Sequence, residues 1–232
     1  METAVKKARV EEGITRIYVP FKNIEIVFAY PFFGPKNYQN VRSQTKEANL
    51  SLPTSEETAY LVNTAYLDNE AKNILPFKEV RDIIRNRWLW EFTRNLWTPE
   101  GVYLYDDIDG KKDEKYLISR LESGDNSVRF VSKGFKLGQQ TSIELGKNSY
   151  IVARYGEEGA ERIAKVAEKF RKHPYLYGLE NVSIPTQRVS ALGEGLNDDR
   201  LYVYGDDLDD GGDGVAFGVL RATEGSEASR EK

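Results

Sequence analysis

Apolar and polar positions alternate over ITRIYV (Ile14 to Val19) and NIEIVFAY (Asn23 to Tyr30), which are rich in β-branched and aromatic residues and separated by a break at Pro20. They predict two paired strands. The following PFFGPKNYQN has two prolines, a glycine and no period, which predicts a loop with Phe32, Phe33 and Tyr38 as core anchors or as an aromatic surface for a partner. The period then changes to that of a helix. Thr54 and Glu57 form a capping box, and Leu61, Val62, Ala65 and Tyr66 share a face, so a helix is expected from about Ser55 to Asn69. Pro76 suits the first turn of a second helix. Val80, Ile83, Ile84, Trp88, Phe92 and Leu96 keep helical spacing after it, and apolar residues on nearly all sides predict one buried helix running to Trp97.

GVYLYDDIDG reads as a strand entering an acidic turn, Asp113 caps a helix over EKYLISRL, and SVRFV is another strand. Thr141 and Glu144 make a second capping box over a short helical turn. NSYIVAR, then a helix through EEGAERIAKVAEKFRKH with Ile163, Val166, Ala167 and Phe170 on one face, then YLYGL (Tyr175 to Leu179) predict a βαβ crossover. LYVYG and GVAFGVL predict a long-looped hairpin. Together these elements predict an α+β fold of one globular domain over 1–222, with a mixed or mainly antiparallel sheet, about four packed helices and one βαβ unit. The polar, aromatic-free segment 223–232 is expected to be a disordered tail.

Composition removes several kinds of chemistry. There is no cysteine, which excludes disulfides, thiol nucleophiles and cysteine-ligated metals, and a single histidine, His173, which excludes multi-histidine metal sites. His173 follows a helix and precedes proline, so a structural role at the helix end accounts for it. The longest apolar run, Ile26 to Phe33, is far too short to span a bilayer, and the charged start has no apolar segment behind it; a soluble, cytoplasmic protein with no membrane association is expected. Abundant charge without cysteine leans toward a thermophilic source.

The formal net charge is −4, yet Glu194 to Gly214 alone carries −7, which leaves +3 for the rest. A body so nearly balanced does not favour nucleic acid as a partner. Arg81, Arg85, Arg87 and Arg94 lie beside the three tryptophans, but on a helix they form no single basic stripe.

The concentrated acidity is the candidate chemistry. Asp107 and Asp109 after one aromatic-alternating strand, and Asp206, Asp207, Asp209, Asp210 and Asp213 after another, repeat one pattern of Asp-Asp, an aliphatic residue and Asp. Carboxylates crowded at strand ends repel one another unless solvent or a hard cation screens them, so a calcium or magnesium site is one reading and a solvated turn the other. The EF-hand pattern does not fit, because Gly218 stands where its bidentate glutamate belongs. Tyr204-Gly205-Asp206-Asp207 resembles the metal-binding hairpin of palm-type RNA polymerases, and Asp107 to Asp109 resembles the DxD site of glycosyltransferases. Neither has partner motifs elsewhere in the chain. Two function classes follow: a non-catalytic binding or interaction protein with a cation-binding acidic loop, or a magnesium- or manganese-dependent transferase or hydrolase in which Asp107, Asp109, Asp206 and Asp207 converge.

Overall fold

The computed structural model describes residues 7–10, 15–107, 109–194, 198–210 and 212–221. The chain opens with strands β1 (Arg9–Val10), β2 (Arg16–Phe21), β3 (Ile24–Ala29) and β4 (Phe33–Lys36). Helices α1 (Tyr38–Glu47), α2 (Ser55–Leu67) and α3 (Leu75–Asn86) follow, then strands β5 (Trp88–Trp97) and β6 (Gly101–Asp106). Helix α4 (Glu114–Glu122), strands β7 (Val128–Ser132) and β8 (Gly138–Gln139) and helices α5 (Ser142–Lys147) and α6 (Ser149–Ala167) make up the next part. The chain closes with β9 (Tyr175–Tyr177), β10 (Thr186–Glu194), β11 (Leu201–Asp207), β12 (Gly214–Ala216) and β13 (Val219–Leu220).

Two sheets result. One has the order β1-β2-β3-β13; the larger runs β4-β12-β5-β10-β11-β9-β8, with β6 and β7 added beside the far half of β5. Most pairings are antiparallel, while β9–β11 and β12–β5 are parallel. The α+β class and the mixed, mainly antiparallel sheet therefore hold, with six α-helices among the described residues rather than about four. No helix among those residues is long and apolar enough to cross a membrane. The expected tail at 223–232 lies outside the described residues.

Four expectations need correction. The helix predicted to reach Trp97 stops at Asn86, Arg87 is extended (φ −149°), and Trp88–Trp97 is the central strand of the large sheet. Its two faces are covered by different cores, so it shows no polar alternation, and its apolar residues continued the helical spacing by coincidence. NSYIVAR is not a strand: Asn148 caps Tyr150 N–H and opens α6, so the predicted βαβ unit does not form there. Within α6, Gly156 has φ 71° and breaks the helical backbone, a conformation only glycine adopts without strain. PFFGPKNYQN supplies β4 and the start of α1, capped by Asn37. Finally, β12 does not pair with β11; it lies against β4 and β5, and β13 belongs to the other sheet.

Helices α2, α3 and α6 cover one face of the large sheet, where Leu89, Trp97, Leu192, Val203 and Leu176 pack, while α1 covers part of the other through Tyr38 and Val41 against Trp90 and Phe92. At its centre a charge pair is fully enclosed. Arg154 of α6 holds Glu91 of β5 with both side chains at zero exposure, and Tyr155 Oη donates to the same carboxylate at 3.0 Å. Burial pushes the Glu91 carboxyl upward, and Arg154 pulls it back. Arg154 also donates to the Tyr204 carbonyl at 2.7 Å and to the Ala191 carbonyl at 3.5 Å, while Trp97 Nε1 donates to the Gly205 carbonyl at 2.7 Å. These carbonyls lie where a register shift interrupts the β10–β11 ladder, and side chains satisfy what the ladder leaves open.

Candidate binding face

The opposite face of the large sheet carries the site. Parallel pairing sets Tyr202 beside Tyr175 and Tyr204 beside Tyr177. Residues two apart on a strand point the same way, so the four tyrosines form a two-by-two grid. Ring centroids of Tyr177 and Tyr204 are 4.7 Å apart and stacked, Tyr175 and Tyr177 are 4.4 Å apart, and Tyr177 and Tyr202 are 5.5 Å apart. Trp88 of β5 extends the grid, meeting Tyr204 edge-on at 4.6 Å. It reaches across β10 because that strand presents Ala191 and Gly193 beneath it; a Cβ on Gly193 would stand 2.7 Å from the Trp88 ring. All five rings are half-buried, so each has an apolar body packed into the fold and an edge or face left to solvent.

Tyr202 Oη donates to Asp198, and the hydroxyls of Tyr175, Tyr177 and Tyr204 make no hydrogen bond within the described protein. Burial raises the Tyr177 and Tyr204 hydroxyls above their ordinary range and lifts that of Tyr202 to about 12. All three stay protonated at neutral pH and offer neutral donors, not a base or nucleophile.

Beside the grid lies the acidic segment. Asp206 and Asp207 end β11, half-buried, with Arg188 as a nearby positive charge. Burial raises both carboxyls, and Asp207 raises Asp206 further. Asp210 and Asp213 are exposed on the following loop. Asp209 is half-buried and turned inward. Burial would raise its carboxyl, but hydrogen bonds from Lys111 and from Gln39 Nε2 (2.6 Å), with Arg94 at 3.3 Å, bring it below the ordinary carboxylate range.

The two acidic turns do meet, through a cation supplied by the chain. Arg94 on β5 donates from Nε to Asp107 at 2.7 Å and from Nη1 to Asp209 at 3.3 Å. Asp107 is buried and also accepts from Tyr38 Oη (2.8 Å) and Gly110 N–H (2.9 Å), with Arg42 at 3.1 Å. Asp109, its side chain 68% exposed, points elsewhere, toward Lys112. The repeated motif therefore places Asp107 and Asp209 on one guanidinium and separates them from Asp109, Asp206 and Asp207. Among the described residues no three carboxylates or histidines are grouped as a metal ion would need. His173 is exposed, six residues beyond the end of α6. Tyr38 is a core residue that holds Asp107, so the stretch Phe32 to Tyr38 is not an exposed apolar surface.

Sequence reasoning singled out the aspartates and missed the tyrosines. The signal for them was present in YLY and YVY, where two aromatic residues sit two apart on each strand; the parallel register that joins them was not readable.

No protein-family model matches the chain, and no curated protein matches its sequence. Among solved structures, one described as "Accommodation of massive sequence variation in Nanoarchaeota by the C-type lectin fold" superposes with a TM-score of 0.57. The alignment covers 94% of this chain and 100% of that one, at 12% identity. The fold is C-type lectin-like. Likeness at that identity concerns the scaffold alone, and within this lectin-like scaffold the aromatic grid, its acidic rim and the Arg94 hub are read from this chain's own residues.

Proposed function

We propose that this chain is a non-catalytic binding protein whose contact surface is the face formed by Trp88, Tyr175, Tyr177, Tyr202 and Tyr204. The observation that carries this reading is five contiguous, half-exposed rings on a sheet whose other face is sealed by helices. Tyrosine and tryptophan supply large contact area at low cost in side-chain entropy, and they dominate recognition surfaces for that reason. A protein partner fits better than nucleic acid, because the rim is acidic and would repel phosphates. The matched structure is described in terms of sequence variation accommodated by the lectin fold. In this chain the separation of a sealed helical face from a half-exposed aromatic face suits the same use, since contact residues can change while the scaffold stays.

The test is a selection of displayed peptides on the immobilised chain. Binders are expected to lose about 2 kcal/mol or more against the Tyr177→Ala/Tyr204→Ala variant, with the thermal transition of that variant still cooperative. Binders indifferent to the substitution would place the contact surface elsewhere.

A second role, uptake of calcium or magnesium, falls to the Asp206–Asp207 pair with solvent completing the shell, since Asp107 and Asp209 are engaged by Arg94 and no third carboxylate of the described residues is grouped with the pair. The raised carboxyls of Asp206 and Asp207 favour it, because a nearby cation would relieve them. Those same shifts make a stability prediction. The folded protein holds these carboxyls above their unfolded value of about 3.9, so ionising them weakens the fold. The cost appears as pH rises through the unfolded value and is complete above the folded ones. Asp206→Asn and Asp207→Asn should each raise the melting midpoint at neutral pH by roughly a few degrees, with the gain vanishing in acid. Calcium or magnesium at millimolar concentration should raise the midpoint of the unmodified chain and not of the double variant; an unmoved midpoint removes the cation role.

A further inference from the structure

Resting on the binding face proposed above, we infer that its partner is a basic protein segment, an arginine or lysine side chain of which lies over the tyrosine rings with its charge directed to Asp206 and Asp207. Two independent features of the face converge on that chemistry. The first is the rings. Aromatic faces attract guanidinium and ammonium groups through their quadrupoles, and the fold already makes such contacts elsewhere, with Arg162 3.9 Å from the Tyr60 ring centre and Arg9 3.9 Å from that of Tyr18. No such contact is made to Tyr175, Tyr177, Tyr202, Tyr204 or Trp88 among the described residues. They pack against one another and against the sheet beneath, and no cation of the described residues covers them.

The second feature is the charge around the rings. Asp198 is neutralised by Lys172 and by Arg200 at 3.3 Å, Asp199 by Arg171 at 3.0 Å, and Asp209 by Lys111 and Arg94. Asp206, Asp207, Asp210 and Asp213 take part in no ion pair of the described residues; Arg188 acts on the first two from a distance, and Arg154, already paired with Glu91, acts on Asp206. The surface is thus negative where its rings are open. A saccharide would also stack on tyrosine, but it needs mixed donors and acceptors around the ring. The free tyrosine hydroxyls would serve a saccharide as donors, but its neutral hydroxyls gain nothing from the net negative charge of the rim, whose carboxylates only accept, and the neighbouring amides Asn37 and Gln39 are already spent on the acidic loop. Acceptor-only groups beside aromatic faces are matched best by a cation that donates.

The probes are four synthetic nonapeptides of alternating glycine with arginine, lysine, glutamate or serine, and a mannose oligosaccharide, each titrated into the full chain at two salt concentrations. The arginine and lysine peptides are expected to bind, to weaken with salt, and to lose at least tenfold against Asp206→Asn/Asp207→Asn and against Tyr177→Ala/Tyr204→Ala. They should be unaffected by Asp109→Asn, an exposed aspartate on the other turn. Equal loss with Asp109→Asn would mean attraction to an acidic protein at large and would overturn the proposal, as would binding that survives Asp206→Asn/Asp207→Asn, or tighter binding of the saccharide than of the arginine peptide. The displayed-peptide selection separates the two levels. Tyrosine-dependent binders without enrichment in arginine or lysine leave the face standing and remove the basic partner, whereas binders that ignore the tyrosines remove both.

Discussion

Arg154→Met is expected to destabilise the fold by about 3–5 kcal/mol at neutral pH, the cost of leaving a buried partner charge uncompensated. Glu91 would remain at zero exposure with only Tyr155 to bond it, and the Tyr204 and Ala191 carbonyls would lose a donor. The loss has a pH signature. Without the guanidinium, only the Tyr155 hydrogen bond opposes burial, so the Glu91 carboxyl rises further and protonation in mild acid should recover part of the deficit. Glu91→Gln in the Arg154→Met background should recover a similar part at neutral pH. Denaturant unfolding of the unmodified chain and both variants at two pH values measures it. A deficit that is constant with pH, or that deepens in acid, contradicts an ionised buried pair. Because Arg154 also anchors the backbone of Tyr204, the same substitution should loosen the aromatic grid from beneath, although it touches none of the rings.

The second large effect is expected at Arg94. Arg94→Met removes two charge-assisted hydrogen bonds from beneath the acidic loop and should cost about 3 kcal/mol. Its ring contact with Tyr38, 4.9 Å from the guanidinium to the ring centre, would go as well. Asp107 keeps Arg42 and Tyr38 and stays partly compensated, but Asp209 keeps only Lys111 and Gln39. The loop should therefore detach from the start of α1, where Gln39 N–H now donates to the Asp209 carbonyl at 3.2 Å. Amide exchange measures this: faster exchange at Gln39 and Leu208 than at the β5 centre is the expected pattern, and uniform acceleration would mean general unfolding instead.

Local signals in the sequence were read correctly at three helix starts and one hairpin. Thr54 and Glu57 mark the start of α2, Asp113 that of α4, and Thr141 with Glu144 that of α5, because a cap satisfies backbone donors that nothing else nearby can reach. The hairpin of β2 and β3 was equally legible from alternation and a short turn. Reading failed where tertiary burial overrides local pattern. Trp88 to Trp97 is buried on both faces, so neither period is imposed on it, and the helix before it lent its spacing. Tyr150, Ile151 and Val152 look like strand residues, yet Asn148 caps them into α6. The aspartates were visible as a group in sequence, but their fates differ: Asp107 and Asp209 turn inward to Arg94, Asp206 and Asp207 stay at the grid, and Asp109 faces solvent. Which carboxylate meets which cation depends on β5 lying between the two turns, and that followed from no local signal.

The placement of the three tryptophans has an experimental use. Trp90 and Trp97 are at or below 3% exposure, while Trp88 stands half-open against Tyr204. A collisional quencher such as acrylamide reaches Trp88 alone in the folded chain, so the quenchable share of the intrinsic emission is a direct optical readout of whether this end of the sheet is covered, without any dye or label.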